Sequence, residues 1–426
     1  MNYKLIEACR ICGNRNLKTL IEFSPQFLSP TFVKSNQNNE LSSVMVPLTL
    51  VMCSNEASAN GCGLVQLLET TNPKLLYTDY FYRTATNSTM LSDLKSLASS
   101  IQEKFDLYPG DIVVDIGAND GSMLSFFDEN LVRIGVEPAK NIDWSSLDSR
   151  ITIVNEFFTH KAIESILGKR KVKLFTSCAM FYDIDDPNSF VKDLKLNLAE
   201  DGIICIQLSY VLAMIENMNF YDICHEHLEY YSLETLEGLM KRQGLKIFHA
   251  EQNMVNGGSL VVFITHSDSE FEKSKNYMDL YNRELNYDLK NSLVYVSFWN
   301  KLLALRDIVR KTIRVENQNG GFVVGLGAST KGNVLLQFFG LNKEIIPFIG
   351  EISNEKIGLR TLGSDIPIIS DSELNRMKPT LKLVLPWYFK EEIVIRERDY
   401  IDSGGKLFFP MPYPHLITSN GEILLT

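Results

Sequence analysis

The sequence has no block of lysine and arginine, no long apolar run and few histidines, and each shortage narrows the field. Its 42 basic residues face 52 acidic ones, for a formal net charge of −10. The clustered positive footprint that phosphate-backbone binding needs is missing, so neither nucleic acid nor an anionic membrane is expected as a partner. No run reaches the roughly 20 apolar residues of a membrane-spanning helix. Residues 1–7 lack a charged segment followed by an apolar one, so the expectation is a soluble, cytoplasmic protein. Seven cysteines, an odd number, do not read as a disulfide framework and leave reduced thiols, metal ligands or packing. At 426 residues the chain exceeds the usual size of one hydrophobic core, and two or three domains are expected.

With only six histidines in the chain, a stretch that holds two of them stands out. Residues 221–231 carry His225 and His227 together with Asp222, Cys224, Glu226, Glu229 and several phenols. A packed core avoids such a concentration unless each group has a partner, which makes this the first place to look for proton chemistry.

Residues 1–72 contain four of the seven cysteines, as Cys9-Arg10-Ile11-Cys12-Gly13, Cys53 and Cys62. The C-x2-C knuckle lets two thiolates grip one ion, and Cys53 with Cys62 would complete a four-sulfur, structural zinc site. The separation of that second pair is longer than usual, and four unligated buried thiols are the alternative. Tyr80 and Tyr82 lie in an aromatic, hydroxyl-rich stretch that suits either a sugar site or a surface linker.

A helical pattern over 91–105 precedes an apolar strand at 112–116, which opens directly into Gly117-Ala118-Asn119-Asp120-Gly121-Ser122. Strand, glycine turn and helix form the entrance of a doubly wound α/β domain. A second strand, 132–136, ends at Glu137, about twenty residues after Asp115, where an acid that grips ribose hydroxyls is expected. Asp120 at the helix start would repel a pyrophosphate, whereas S-adenosylmethionine, with no phosphate and a cationic sulfonium, suits an acidic loop better; a tight turn without a cofactor is the alternative. Strands at 172–176 and 203–208, separated by a helical segment over 189–198, continue the alternation and place the histidine stretch on a loop near the carboxyl edge of the sheet. Asn256-Gly257-Gly258-Ser259 then turns into a strand over 260–264. Residues 266–317 read as a charged helical connector. A second strand-turn-helix follows, with Gly325, Gly327, Ser329, Lys331 and Asn333 in its turn and early helix. Free N–H groups and a lysine there suit a diphosphate, although the spacing is not that of a P-loop and a purely structural Rossmann-like domain is the alternative. Strands at 345–349, 382–385 and 407–409 complete this unit.

Together these motifs resemble the three-domain, zinc-containing sugar C-methyltransferases of deoxysugar biosynthesis, over nearly the whole chain. The resemblance implies an α/β protein with a zinc-binding module (1–72), a class I, Rossmann-like methyltransferase domain (73–265) and a C-terminal Rossmann-like nucleotide-sugar-binding domain (266–426). It implies S-adenosylmethionine as cofactor, held by Asp115, Gly117, Asn119, Asp120, Gly121 and Glu137, and zinc on Cys9, Cys12, Cys53 and Cys62. The reaction implied is methylation of a ring carbon beside the ketone of a nucleotide-linked 4-keto-6-deoxysugar, through an enolate. His227 would be the base, with His225, Glu226, Tyr82 and Tyr182 orienting the sugar or stabilising the enolate. Tyr80, Cys224, Asn256, Gly257, Gly327, Ser329, Lys331 and Asn333 would contact the nucleotide sugar. The sequence departs from the family at Cys224, where a tyrosine is common, and over 178–183, where relatives often carry an asparagine and a histidine. Rival readings are O- or N-methyl transfer, a nucleotide-sugar binder with an inactive cofactor loop, and an isomerase holding a metal on His225 and His227.

Overall fold

The structure is a computed structural model that describes residues 2–34, 44–54, 61–77 and 83–425. Its centre is a seven-stranded sheet among the described residues: β1 (Ile112–Ile116), β2 (Val132–Val136), β3 (Ile151–Val154), β4 (Val172–Cys178), β5 (Leu198–Ser209), β6 (Leu245–Asn253) and β7 (Ser259–His266). Their spatial order is β3-β2-β1-β4-β5-β7-β6, with β1 to β5 parallel and β7 antiparallel to both its neighbours. All five residues of β1 are buried, as expected for a strand covered on both faces, so its sequence is a continuous apolar run broken only by Asp115. The strand order reverses between β1 and β4, and that switch point opens the crevice where ligands of such sheets bind. The β6–β7 hairpin turns through Asn256, Gly257 and Gly258, all at positive φ, and a Cβ on Gly258 would lie 2.5 Å from the Ala213 methyl, so only glycine fits there.

The amino-terminal module is welded to the rest by strand pairing. Leu17–Phe27 pairs with Met45–Cys53, which pairs with Val65–Leu67, and the last strand of that sheet is Glu229–Tyr230, two residues beyond His227. On the other side, Phe32–Lys34 pairs with Leu359–Thr361 of the carboxyl-terminal part. That part is a second sheet of β8 (Val323–Leu326), β9 (Ile349–Glu351), β10 (Ile368–Ser370), β11 (Leu381–Val384), β12 (Lys406–Phe409), β13 (His415–Thr418) and β14 (Gly421–Leu424), in the order β10-β9-β8-β11-β12-β13-β14. The strand expected at 345–349 begins only at Ile349, because Ile345 and Ile346 both donate to the Asn342 carbonyl in a turn.

The stretch expected to be a connector is instead part of the core. It forms helices Lys275–Tyr287 and Ser292–Gln318, and the second buries Tyr295, Phe298, Leu302, Leu305, Val309 and Ile313 along one stripe. Trp299 on the same helix packs at 5.0 Å against Phe23 of the first module and 5.9 Å from Phe338 of the last. Buried Glu284 accepts hydrogen bonds from the Leu233 and Glu234 amides at the start of helix Leu233–Arg242, and from the Tyr210 hydroxyl. No helix among the described residues is long and apolar enough to cross a membrane.

Glu284→Ala leaves two helix-start amides and a phenol without their acceptor, and each stranded buried donor costs about 1–3 kcal/mol. The expected result is a Tm fall of several degrees in a thermal melt, with the cysteine cluster's metal content unchanged.

Candidate active site

Cys9 and Cys12 flank the first tight turn, Cys53 ends a strand, and Cys62 returns beside it, its amide donating to the Cys53 sulfur. All four sulfurs lie within 4.8 Å of one another, with Cys9 to Cys62 at 3.6 Å and Cys12 to Cys53 at 3.4 Å. Thiolates placed tetrahedrally around zinc at about 2.3 Å are roughly 3.8 Å apart, so the arrangement fits that ion. The separations are far above the ~2.05 Å of a disulfide. Four protein ligands leave no open position, which makes the site structural.

The turn after β1 and the end of β2 are stitched together. The Asn119 amide donates to Glu137 Oε2 at 2.9 Å, and the Ala139 amide to Oε1 at 2.8 Å. Buried Asp115 takes a 2.6 Å hydrogen bond from Thr176 Oγ1, and burial pushes its carboxyl up to about 7. Burial raises Glu137 as well. Asp115, Gly117, Asn119 and Glu137 all line a cavity of about 490 Å³, within the usual range for small-molecule sites. Asp120 and Gly121 are not among its lining residues. Asp120 braces the local backbone instead, accepting from the Ala85 amide at 2.7 Å and from Ser122. Gly121 sits at φ 81° with Leu147 carbons 2.8 Å from where a Cβ would be, so its role is steric.

The same cavity reaches the histidine stretch, which follows β5 and the short helix Val211–Glu216. Every residue from Phe220 to Leu233 is buried. The Leu228 amide donates to the Tyr182 carbonyl, and the Tyr230 hydroxyl to the carbonyls of Asp222 and His227. These bonds hold the loop by its backbone and leave side chains for the cavity. Tyr182, Cys224, Glu226 and His227 line it, with the Tyr182 and His227 rings 4.2 Å apart. Burial, helped by the Lys331 cation, pushes His227 down to about 3, so the imidazole is neutral at ordinary pH. Its Nδ1 has no hydrogen-bond partner among the described residues. Burial raises Glu226 to about 7 and keeps the Cys224 thiol protonated.

His225 is elsewhere: its Nε2 lies 3.3 Å from the Val46 carbonyl in the sheet of the cysteine module, and it does not line the cavity. The two rings therefore do not share an ion. The extended geometry that would point residues i and i+2 the same way is absent here, since strand pairing begins only at Glu229. Among the described residues the four cysteines are the cluster with metal-ligand spacing, which removes the reading of His225 and His227 as a metal pair.

From the carboxyl-terminal part, Ser329 and Lys331 line the cavity, at the start of helix Thr330–Phe339. Lys331 Nζ pairs with buried Asp222 at 2.8 Å and lies 4.9 and 5.4 Å above the rings of Tyr221 and Tyr388. Asn256 also lines the cavity, but Gly257, Gly327 and Asn333 do not. The Gly257 carbonyl accepts from Asn217 and Asn219, Gly327 packs under Pro386, and Asn333 donates to the Ser29 carbonyl at 2.7 Å, joining the last part of the chain to the first. Tyr80 and Tyr82 lie outside the described residues. Tyr388 and Lys356 line the cavity without any motif to announce them; Lys356 donates to the Ala328 carbonyl at 2.8 Å. The partner of Lys331 was visible in the sequence only as one more acid of the crowded stretch.

The sheet order and the loop geometry define a Rossmann-like fold of the S-adenosylmethionine-dependent methyltransferase class. Residues 88–250 match the family model "Methyltransferase domain", residues 9–77 "Putative zinc binding domain", and residues 254–412 "C-methyltransferase C-terminal domain". The chain is 27% identical over 420 residues to the C-methyltransferase NovU of Streptomyces niveus, covering 98% of each. Among solved structures it is similar to magnesium protoporphyrin IX methyltransferase of Synechocystis PCC 6803 with bound SAH, at 11% identity and a TM-score of 0.33, covering 42% of this chain and 88% of that one. It is also similar to an S-adenosylmethionine-dependent methyltransferase of Clostridium acetobutylicum, at 14% identity and a TM-score of 0.32, covering 42% and 92%. The chain is an S-adenosylmethionine-dependent methyltransferase with zinc in its amino-terminal module, and it is similar in all three matched parts to C-methyltransferases.

Two outcomes follow. Protein purified without chelator contains about one zinc per chain by elemental analysis, and Cys62→Ser loses most of it. His225 titrates near 6.5 when unfolded and about 4 when folded, so it lowers stability as pH falls through that window. Denaturation curves at pH 5 and pH 7 should therefore differ less in His225→Gln than in wild type, by up to about 1.4 kcal/mol per pH unit.

Proposed function

We propose that this enzyme methylates a ring carbon beside the ketone of a nucleotide-linked 4-keto-6-deoxysugar, through an enolate. The observation that carries the reading is that one cavity is shared by the cofactor-type loop, a neutral imidazole and a lysine at a helix start. S-adenosylmethionine supplies an electrophilic methyl group when bound. Carbon becomes a nucleophile only after a proton next to a carbonyl is removed, so the chain must provide a base at the carbon and a donor at the keto oxygen. His227 is assigned the base because its imidazole lines the cavity beside Tyr182 and its Nδ1 has no hydrogen-bond partner among the described residues. Glu226, raised to about 7, is partly protonated at neutral pH and is assigned to donate to the developing enolate oxygen, with Tyr182 orienting the sugar beside it. An upstream tyrosine, Tyr82 or Tyr80, is assigned to the sugar by resemblance. Ser329 and Lys331 offer helix-start amides and a cation suited to the diphosphate. Cys224 leaves space beside the base where the resemblance expects a tyrosine, and is assigned to sugar selection. Residues 1–72, 73–265 and 266–426 are assigned to zinc, cofactor and nucleotide-sugar binding respectively, in a cytoplasmic enzyme.

His227→Asn is expected to slow exchange of the sugar's α-proton with deuterated water, and methylation with it, by on the order of 10²–10⁴, while cofactor binding measured by calorimetry is retained. Wild-type exchange in this variant contradicts the base assignment. NMR of products from a panel of nucleotide-linked 4-keto sugars should place the new methyl on carbon; methylation on oxygen or nitrogen contradicts the reaction class.

A further inference from the structure

Glu229 lies two residues after His227, is 1% exposed, and neither of its carboxylate oxygens has a hydrogen-bond partner among the described residues. It is not among the cavity-lining residues. Burial pushes its carboxyl well above the ordinary range, and an apolar side chain would serve stability better than a buried carboxyl without donors. The cation that faces it is Arg10, whose Nε lies 3.6 Å from Glu229 Oε1. Arg10 stands between Cys9 and Cys12, and its side chain is 2% exposed.

The rest of the guanidinium is spent on fixed acceptors. It donates to the Leu67 carbonyl at 2.6 Å and to Thr70 Oγ1 at 2.8 Å, and Nε lies 3.5 Å from Asp185. Leu67 in turn donates its amide to the Leu228 carbonyl, adjoining His227. Asp185 follows Tyr182, and Asn188 just beyond it donates to the Arg10 and Ile11 carbonyls at 2.8 and 3.0 Å. One side chain in the cysteine knuckle thus meets the segment that carries His227 and the segment that carries Tyr182. These two rings are 4.2 Å apart in the cavity.

We propose that Arg10 is a positioning residue: through Glu229 and Asp185 it fixes the His227 and Tyr182 segments against each other, and so sets the base's aim at the substrate carbon. The proposal rests on the assignment of His227 as the base. Arginine is needed because its planar fork reaches several acceptors in fixed directions, which a lysine cannot do. A small misplacement of a reacting group costs up to about 100-fold in rate, while substrate contacts made by other residues are untouched.

The test compares Arg10→Lys, Arg10→Gln and Arg10→Gln/Glu229→Gln with wild type, measuring zinc content, Tm, cofactor binding, and kcat and KM for α-proton exchange from the nucleotide-linked 4-keto sugar that the enzyme methylates. Arg10→Lys is expected to keep zinc and cofactor affinity while kcat for exchange falls on the order of 10- to 100-fold at nearly unchanged KM. The double variant, which leaves an amide facing an amide at the buried contact, is expected to melt close to wild type yet remain slow, and it serves if Arg10→Gln does not fold. A wild-type kcat in Arg10→Lys, or a kcat that recovers together with Tm in the double variant, overturns the proposal. His227→Asn run alongside separates the two claims. Lost exchange there with a wild-type rate in Arg10→Lys overturns the positioning role alone, whereas wild-type exchange there overturns the base assignment and the positioning role with it.

Discussion

The arrangement depends on the burial of residues 220–233 where three parts of the chain meet. Removed from water, an ionisable group must find a partner or give up its charge. Asp222 meets Lys331, while burial pushes the Glu229 carboxyl well above its ordinary range even with Arg10 beside it. His225 and His227 stay neutral, and Glu226 is raised toward neutrality. The loop thereby acquires an unprotonated imidazole and a carboxyl near its titration point on the same cavity, from residues that in water would carry opposite charges between about pH 4.3 and 6.5. The partners come from the two ends of the chain, so the loop's chemistry requires all three parts to be assembled.

That requirement explains the unusual strand exchange between parts. Glu229–Tyr230 completes a sheet whose other strands precede residue 68, and Phe32–Lys34 pairs near residue 360. Asn333 and Gln337 on helix Thr330–Phe339 bond the backbone of Ser29 and Phe27. Zinc on the four cysteines would hold the short, loop-rich module firm enough to serve as this brace, since so small a segment has little core of its own. The Lys331–Asp222 pair, flanked by Tyr221 and Tyr388, joins the last domain to the loop. Buried pairs of this kind add little net stability, and their value is in fixing one arrangement.

Much of this could be read from the sequence, for identifiable reasons. Buried parallel strands announce themselves as apolar runs, and the turn after Ile116 carries its glycine where the loop demands it. The cysteines were legible despite their irregular spacing because thiol pairs have few other uses in a short segment. Proximity in sequence misled elsewhere. Gly257, Gly327 and Asn333 adjoin cavity residues, but in a turn or helix only some neighbours point the same way, and these three serve packing and domain joining. The same holds for His225, since only the fold reveals that the sheet of the cysteine module lies behind it. Tyr388 and Lys356 reach the cavity by long-range contact and carry no local signal.

Whether burial holds the His227 imidazole neutral can be read directly by NMR titration of imidazole-labelled protein. With His227→Asn used to assign its resonance, the His227 signal is expected to keep its neutral shift from pH 8 down to about 4, as a pKa pushed down to about 3 requires. A titration midpoint at or above the ordinary value near 6.5 would contradict it.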